Sequence, residues 1–355
     1  MLPYFVFLFV ALIIAQLAFA EKVRPFWLIL LFIVMTLFAG LRSSSVGTDS
    51  GNYAYGFENQ SYESKSLSSE IRDLILGEQG FTIIQKTIGR VSDKYSSLFL
   101  AIAAICFFPF LVSIKNNSLI PVVSIFAYIT LGYYTFVFNG ARQGIAVSFF
   151  LLSIPSLIKH NFWRYVLIVL AASLFHNSAL IAIPLYFVFT QRYSFKTLTI
   201  VVLSGIAIGV FLPRLLAIGA IINEKIAGYG SGSTGGYILT VFYVLLTVFF
   251  VSQREYISSD CHYRYDVYLN MMIVGSVIYV IVSATGAYSE LTRFAAYFQI
   301  ASIFLWPEIM KNRIRPLSSL LLLLAFMGHL LYFYLSLGRF ANLVPYQFNP
   351  NIFGS

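Results

Sequence analysis

Charge is what this sequence has least of. Only 10% of its 355 residues are Asp, Glu, Lys or Arg, while 59% are hydrophobic; a soluble domain carries about 25% charged residues. Such a chain has too little polar surface to cover itself in water, and a bilayer is the solvent that fits. Acidic groups are the scarcer sign, 14 against 23 basic ones. The basic residues are scattered through short loops, not clustered on a face or arm, so the net charge of +9 suits anionic headgroups or an anionic lipid-linked substrate and not nucleic acid. There are two cysteines, Cys106 in an apolar run and Cys261 in a polar loop. They are far apart and show no metal spacing, so neither a disulfide nor redox chemistry is implied. No Walker motif, Gly-rich nucleotide fold, H-E-x-x-H or G-x-S-x-G is found, which disfavours nucleotide energy, zinc proteolysis and lipase-type serine chemistry. No metal and no cofactor is expected.

What is present is a succession of apolar runs, at about 2–20, 25–41, 96–114, 119–138, 141–158, 163–190, 197–212, 237–252, 267–284, 294–310 and 317–337. A membrane-spanning helix needs roughly 20 mostly apolar residues, and a transmembrane barrel would show short alternating segments instead. The expected fold is an all-α, polytopic integral membrane helix bundle, a single domain over 1–355 with 11–12 crossings. The opening MLPYFVFLFVALIIAQLAFA ends in an A-x-A pattern, but it lacks a basic n-region and its apolar run is long for a signal peptide, so it reads as the first span. Two connections are long. Residues 42–95 are polar and Ser-rich, with an amphipathic helix expected around 68–90. Residues 213–236 contain GYGSGSTGG, which reads as a plain linker or a mobile lid.

The run 163–190 is long for one span and is interrupted by FHNSAL (175–180) and Pro184. Read as a helical hairpin with FHNSAL at its tip, it puts Lys22/Arg24, Lys115, Lys159/Arg164, Arg192/Lys196, Arg254/Arg264 and Lys311/Arg313/Arg315 on one side, as the enrichment of cytoplasmic loops in Lys and Arg requires. The polar features that are not topology charges then gather on the outer face, where a composite site would need them: 42–53, 76–81, 139–144, 175–178, 288–293 and 338–348.

Several of their residues suit chemistry. In NGARQG (139–144), Asn139 is a candidate cap for the helix that follows, with Arg142 and Gln143 in its first turn. A helix N-terminus favours anions, and an Arg fork matches phosphate bidentately; the alternative is an Arg snorkelling to lipid phosphates. His176, before Asn177 and Ser178, could serve as a general base at a hairpin tip, or be a hydrogen-bonded structural histidine. Glu290 and Arg293, three apart, could pair with each other, or Glu290 could orient an Arg293 that binds phosphate. Asp49, between Gly47 and Gly51, presents a carboxylate beside Tyr53 and Tyr55, a pattern suited to sugars and also to a plain turn.

The ordered set GLRSSSVGTDSGNY (40–53), E-x-G-F (78–81), FNGARQGIA (138–146), FHNSAL (175–180), LTR-x-x-x-Y (291–297) and VPY (344–346) resembles the EpsG-like, Wzy-type polysaccharide polymerases over nearly the whole chain. The resemblance implies a large integral-membrane glycosyltransferase fold of the GT-C type, like that of the O-antigen ligases, in a bacterial inner membrane with its site facing the periplasm. It implies donor and acceptor oligosaccharides carried on undecaprenyl diphosphate, and metal-independent transfer of the growing glycan onto the next lipid-linked repeat. The implied catalytic residues are Arg142, Arg293 and His176, with Arg42, Arg214 and Arg339 as further arginines for the diphosphate. Asp49 and Glu78 would position sugars or act as a rival base. Tyr53, Asn139, Gln143, Asn177, Glu290 and Tyr346 complete the substrate-binding set. The bilayer and a chain-length regulator are the other partners expected. The competing readings are a ligase-like glycan transferase, an acyltransferase, and a lipid-linked oligosaccharide flippase or transporter; a transporter should show pseudo-symmetric repeats with broken helices in both halves.

Overall fold

The computed structural model describes residues 1–20, 24–59, 79–222, 237–285, 289–339 and 341–350. The apolar runs fold as helices because a backbone in hydrocarbon must satisfy its own hydrogen bonds. In chain order the main ones are α1 (Leu2–Ala18), α2 (Pro25–Gly40), α3 (Ser50–Glu58), α4 (Gln79–Gly89), α5 (Tyr95–Asn117), α6 (Pro121–Thr130), α7 (Ala141–Leu151), α8 (Phe162–Ser173), α9 (Ala182–Phe189), α10 (Phe195–Ile222), α11 (Tyr237–Gln253), α12 (His262–Thr285), α13 (Ser302–Asn312) and α14 (Ser319–Arg339). Among the described residues no strand forms, and only two isolated antiparallel bridges occur, Arg42–Phe348 and Ile257–Arg313. Six helical stretches are long and apolar enough to cross a membrane: Tyr95–Asn117, Ala141–Ile158, Phe195–Leu212, Tyr237–Tyr256, Ser259–Thr285 and Ser319–Arg339. Five more apolar helices have 10–17 residues. The chain is a multi-pass, all-helical membrane protein.

Three apolar runs are less simple than their composition suggests. The run 119–138 is broken after Thr130, where Gly132 takes a left-handed conformation (φ 83°), and resumes as a four-residue helix over Tyr133–Phe136. The run 294–310 is broken into a 3₁₀ turn (Ser289–Ala295), a four-residue helix (Ala296–Gln299) and α13. Pro307, inside α13, has no N–H to give the preceding turn. The run 163–190 doubles back. The Phe162 ring lies 5.0 Å from Tyr186 and 5.5 Å from Phe187, whereas a continuous helix would separate these positions by about 36 Å. The reversal falls at 174–176, followed by a 3₁₀ turn over Asn177–Ile181, as the hairpin reading of FHNSAL expects.

The chain forms two compact units. The first comprises Met1–Pro155, Trp163–Leu180 and Leu317–Ser355; the second comprises Ser156–Phe162 and Ile181–Pro316. In the first, an aromatic stack links helix to tail. Tyr134 stacks on Phe7 at 4.5 Å and on Phe107 at 4.9 Å, and Phe38 stacks on Tyr346 at 4.3 Å. Three of the unit's buried phenols find a carbonyl: Tyr134 to Met35 at 2.7 Å, Tyr4 to Leu343 at 2.8 Å, Tyr346 to Phe38 at 2.5 Å.

In the second unit, α12 is the central helix. It runs parallel to α10, with Gly205 against Val277 and Gly209 against Ile281. It runs antiparallel to α11, held by Thr247–Ser276 at 2.8 Å and Thr240–Ser283 at 2.6 Å. Two basic residues that the sequence suggests as topology charges are ion-paired here with buried carboxylates. Arg254 grips Asp266 with two bonds of 2.6 and 2.8 Å, and Arg264 meets Glu308 at 2.6 Å.

Candidate active site

Five of the six polar segments expected to form a composite site meet in the first unit. The loop 41–48 and the tail 341–349 form one layer through their backbones: Ser43 N–H to Gln347 O at 2.8 Å, Gly47 N–H to Asn342 O at 2.9 Å, and Asn349 N–H to Leu41 O at 2.9 Å. Gly47 has φ 103°, and a Cβ there would press on the Phe138 carbonyl at 2.9 Å. Both the turn and the close approach require glycine.

Asn139 ties this layer to the third segment. Its Oδ1 accepts from the Thr48 N–H at 2.5 Å and the Thr48 hydroxyl at 2.9 Å. The cap expected of Asn139 therefore does not form. Gly140 is the residue preceding α7, and no side chain caps that helix end. Ser50 adds a second link, donating to Phe138 O at 3.0 Å.

The fourth segment supplies a platform. Phe81, fully buried at the start of α4, lies under the Arg142 guanidinium, with Cζ 4.8 Å from the ring centroid. Tyr53 packs on the same ring at 5.6 Å. The Arg142 side chain is exposed, while Gln143 beside it is buried. A cation resting on a ring face is pre-organised and loses little freedom when it takes a ligand. The fifth segment is the hairpin tip. Gly80 N–H donates to Leu174 O at 2.8 Å, and a Cβ on Gly80 would meet the Phe175 ring at 2.8 Å. The turn 79–81 thus has Arg142 on one neighbour and the residue preceding His176 on the other. His176 is half-buried and Asn177 exposed. A 3₁₀ turn over Asn177–Ile181 follows the tip, and α9 starts with Ile181 as its N-cap and no side-chain cap.

The remaining candidates divide as follows. Arg42 is 3% exposed and sandwiched between Phe99 at 4.1 Å and Phe138 at 4.2 Å, donating to Ala39 O and to Ser50 Oγ at 3.1 Å. Burial lowers its pKa to about 10, so it stays charged at neutral pH. Tyr346 is buried in the aromatic stack, and burial raises its phenol pKa. Both face inward and hold the loop and tail in place. Asp49 is the half-buried residue preceding α3, and Arg339 is exposed in the last turn of α14. Glu78 lies outside the described residues. Arg293 and Arg214 belong to the second unit, Arg293 half-buried in the Ser289–Ala295 turn and Arg214 exposed on α10. Positions 290 and 293 fall on one edge of that turn, because residues three apart eclipse in a 3₁₀ helix; the Glu290 side chain lies outside the described residues.

Sequence reasoning missed Phe81 as the seat of Arg142, and Asp266 and Glu308 as buried partners. An E-x-G-F motif draws attention to its acid and its glycine, yet the ring is what touches the arginine. The acids could have been noticed as lone carboxylates in apolar runs close to basic loops, since such groups pair or line a cavity.

A family model described as the EpsG family matches residues 26–348. No curated protein matches the chain, and no solved structure matches it.

Proposed function

Because the chain belongs to the EpsG family, whose members are polysaccharide-polymerase-like membrane proteins, we propose that it polymerises lipid-linked oligosaccharide repeats at the periplasmic face of a bacterial inner membrane. The donor is the growing glycan on undecaprenyl diphosphate, and the acceptor is the terminal sugar hydroxyl of another undecaprenyl-diphosphate-linked repeat. In the reaction the acceptor oxygen attacks the anomeric carbon of the donor. The bond from that carbon to the diphosphate breaks, the diphosphate leaves with its electron pair, and the hydroxyl proton passes to a base. The donor is already activated, so no nucleotide is consumed.

One observation supports this reading above the rest: the linking of five distant segments within one unit, with an exposed arginine on the Phe81 ring at the turn 79–81 and a histidine at the adjoining hairpin tip. Arg142 would hold the diphosphate and stabilise the charge that develops on it, a contribution of about 10²–10³ in rate for one preorganised donor. His176 would take the proton, worth roughly 10²–10⁴. Tyr53 would pack against a sugar ring, and Asp49 and Asn177 would contact its hydroxyls. Arg293 enters from its motif alone, as a second ligand of the diphosphate.

The test is reconstitution of the purified protein with synthetic lipid-linked repeats. It should release undecaprenyl diphosphate and make longer glycan. Full polymerisation by both Arg142→Ala and Arg293→Ala would remove the diphosphate role from both arginines.

A further inference from the structure

The second unit contains an open cavity of about 810 Å³ that the proposed chemistry does not use. Its polar lining includes His160, Arg192, Lys196 and Tyr263 beside neutral Ser, Thr and Gln side chains, with no acidic residue. Arg254 and Arg264, in the same unit, are neutralised by Asp266 and Glu308. Among the described residues Arg192 and Lys196 have no such counter-ion. Positive charge at the cavity is therefore left without the carboxylate that neutralises Arg254 and Arg264.

Two backbone features sharpen the site. His160 occupies the left-handed region (φ 52°), where its N–H bonds Leu157 O at 3.2 Å and the next N–H bonds Ser156 O at 2.8 Å. Glycine is the usual residue at such a helix end. A histidine there is strained, and its ring is fixed by stacking on Tyr263 at 4.9 Å and 20°. At the far side of the cavity, Ser194 Oγ accepts the Thr197 N–H at 3.1 Å at the start of the 28-residue α10, so the positive end of a long helix dipole points there. Phe187, Val188, Ile200 and Val201 give the same cavity an apolar wall.

Its position is set by the parallel packing of α10 and α12. The cavity lies at the N-terminal ends of both helices, at Thr197 and Tyr263. The opposite end is marked by Leu212, Val282 and Leu291, which pack together next to Arg293. From 197 to 212 along α10 and from 263 to 282 along α12 the rise is about 22–28 Å, close to the thickness of the hydrocarbon core. The cavity and the Arg293 turn therefore belong to opposite membrane surfaces.

We propose that this cavity binds a phosphate-bearing anion at the membrane surface remote from Arg293, with Arg192 and Lys196 as its cationic ligands, His160 as a hydrogen-bonding ligand and the apolar wall beside a hydrocarbon tail. Basic pockets among membrane helices hold anionic lipid headgroups by this combination. The same charges could hold a soluble phosphate, and the experiment separates the two sources. The site stands independently of the transfer chemistry, since none of its residues belongs to the proposed catalytic set.

Native mass spectrometry of the purified full-length chain reads it directly, with dioleoyl phosphatidylglycerol, dioleoyl phosphatidylcholine and inorganic phosphate as probes. Wild type should bind phosphatidylglycerol or phosphate at least about tenfold more tightly than R192Q/K196Q, as expected for losing charge-assisted bonds. Phosphatidylglycerol bound without displacement by millimolar phosphate identifies a lipid headgroup; full displacement identifies a soluble anion. Equal affinity of wild type and R192Q/K196Q for both anionic probes overturns the proposal, as does phosphatidylcholine binding as tightly as phosphatidylglycerol. Should the double variant fail to fold, H160G decides. Glycine suits the backbone at 160, so the fold should hold while anion affinity falls several-fold, and unchanged affinity in H160G counts against the site.

Discussion

Arg42 and Arg142 carry the same guanidinium into different surroundings, and those surroundings determine what each loss should cost. Arg42 is buried between two phenyl rings and bonded to Ala39 O and Ser50 Oγ. Arg42→Ala should destabilise the protein by about 3 kcal/mol, from two desolvated ring contacts and two hydrogen bonds, read as a lowered melting temperature in detergent. Arg142 has one ring beneath it and is an exposed residue at the start of α7. Arg142→Ala should leave the melting temperature within a degree or so, because exposed side chains contribute little to stability, while cutting polymerisation by about 10²–10³. Arg142→Lys keeps the charge but not the two-pronged geometry, so it should recover only part of that loss. His176→Gln should likewise spare the fold and lower turnover by roughly 10²–10⁴. The sequence offers both arginines for the diphosphate, and neither one's neighbours show that Arg42 is buried. What separates them is Phe99 and Phe138, which reach Arg42 across 57 and 96 positions of chain. Asn139 is a similar case. The nearest orphan amides belong to the helix after it, so a local reading makes it a cap, yet its partner is Thr48, 91 positions earlier.

At the scale of elements, the hairpin tip depends on a glycine that contributes no chemistry. Gly80 lets the start of α4 lie against Leu174 O and the Phe175 ring, with no room for a Cβ. Gly80→Ala should push the tip away and displace His176 by a fraction of an ångström or more. A misplacement of about 1 Å can cost 10²-fold in rate, so turnover should drop well beyond any change in stability, with substrate binding less affected. If turnover holds while the melting temperature falls, Gly80 is a packing residue only. The apolar runs, their helical state and the hairpin were legible in the sequence because length and composition decide them. The breaks at 131–132 and 300–301 were not. A run of 20 apolar residues looks alike whether it forms one straight helix or two short ones, and in 119–138 the difference lies in one left-handed glycine. The meeting of loop and tail was legible only as a list of polar segments. Their backbone bonds, Ser43 to Gln347 and Gly47 to Asn342, leave no periodic trace.

For the whole molecule, topology turns on the doubling back of 162–189, since one more reversal exchanges the sides of every later loop. The parallel course of α10 and α12 gives an internal check. Parallel helices enter the membrane from the same surface, so the loops ending at Phe195 and His262 share a side. Those loops carry Arg192, Lys196, Arg254 and Arg264, the pattern of a cytoplasmic surface. The hairpin tip lies one helix away from Phe162, about 18 Å along α8, and in the proposed orientation it opens outward. Cys261 is half-buried beside the α12 start, and Cys106 is fully buried, so Cys261 is the native thiol within reach of a reagent. In spheroplasts, a membrane-impermeant maleimide should leave Cys261 unlabelled until the membrane is permeabilised. Asn177→Cys in a Cys261→Ser background should be labelled at once, since Asn177 is exposed at the tip. The reverse pattern would put FHNSAL on the cytoplasmic surface, where no periplasmic transfer could use His176. Labelling of both thiols from outside would mean that 162–189 does not reverse the chain, against the 5.0 Å approach of Phe162 to Tyr186.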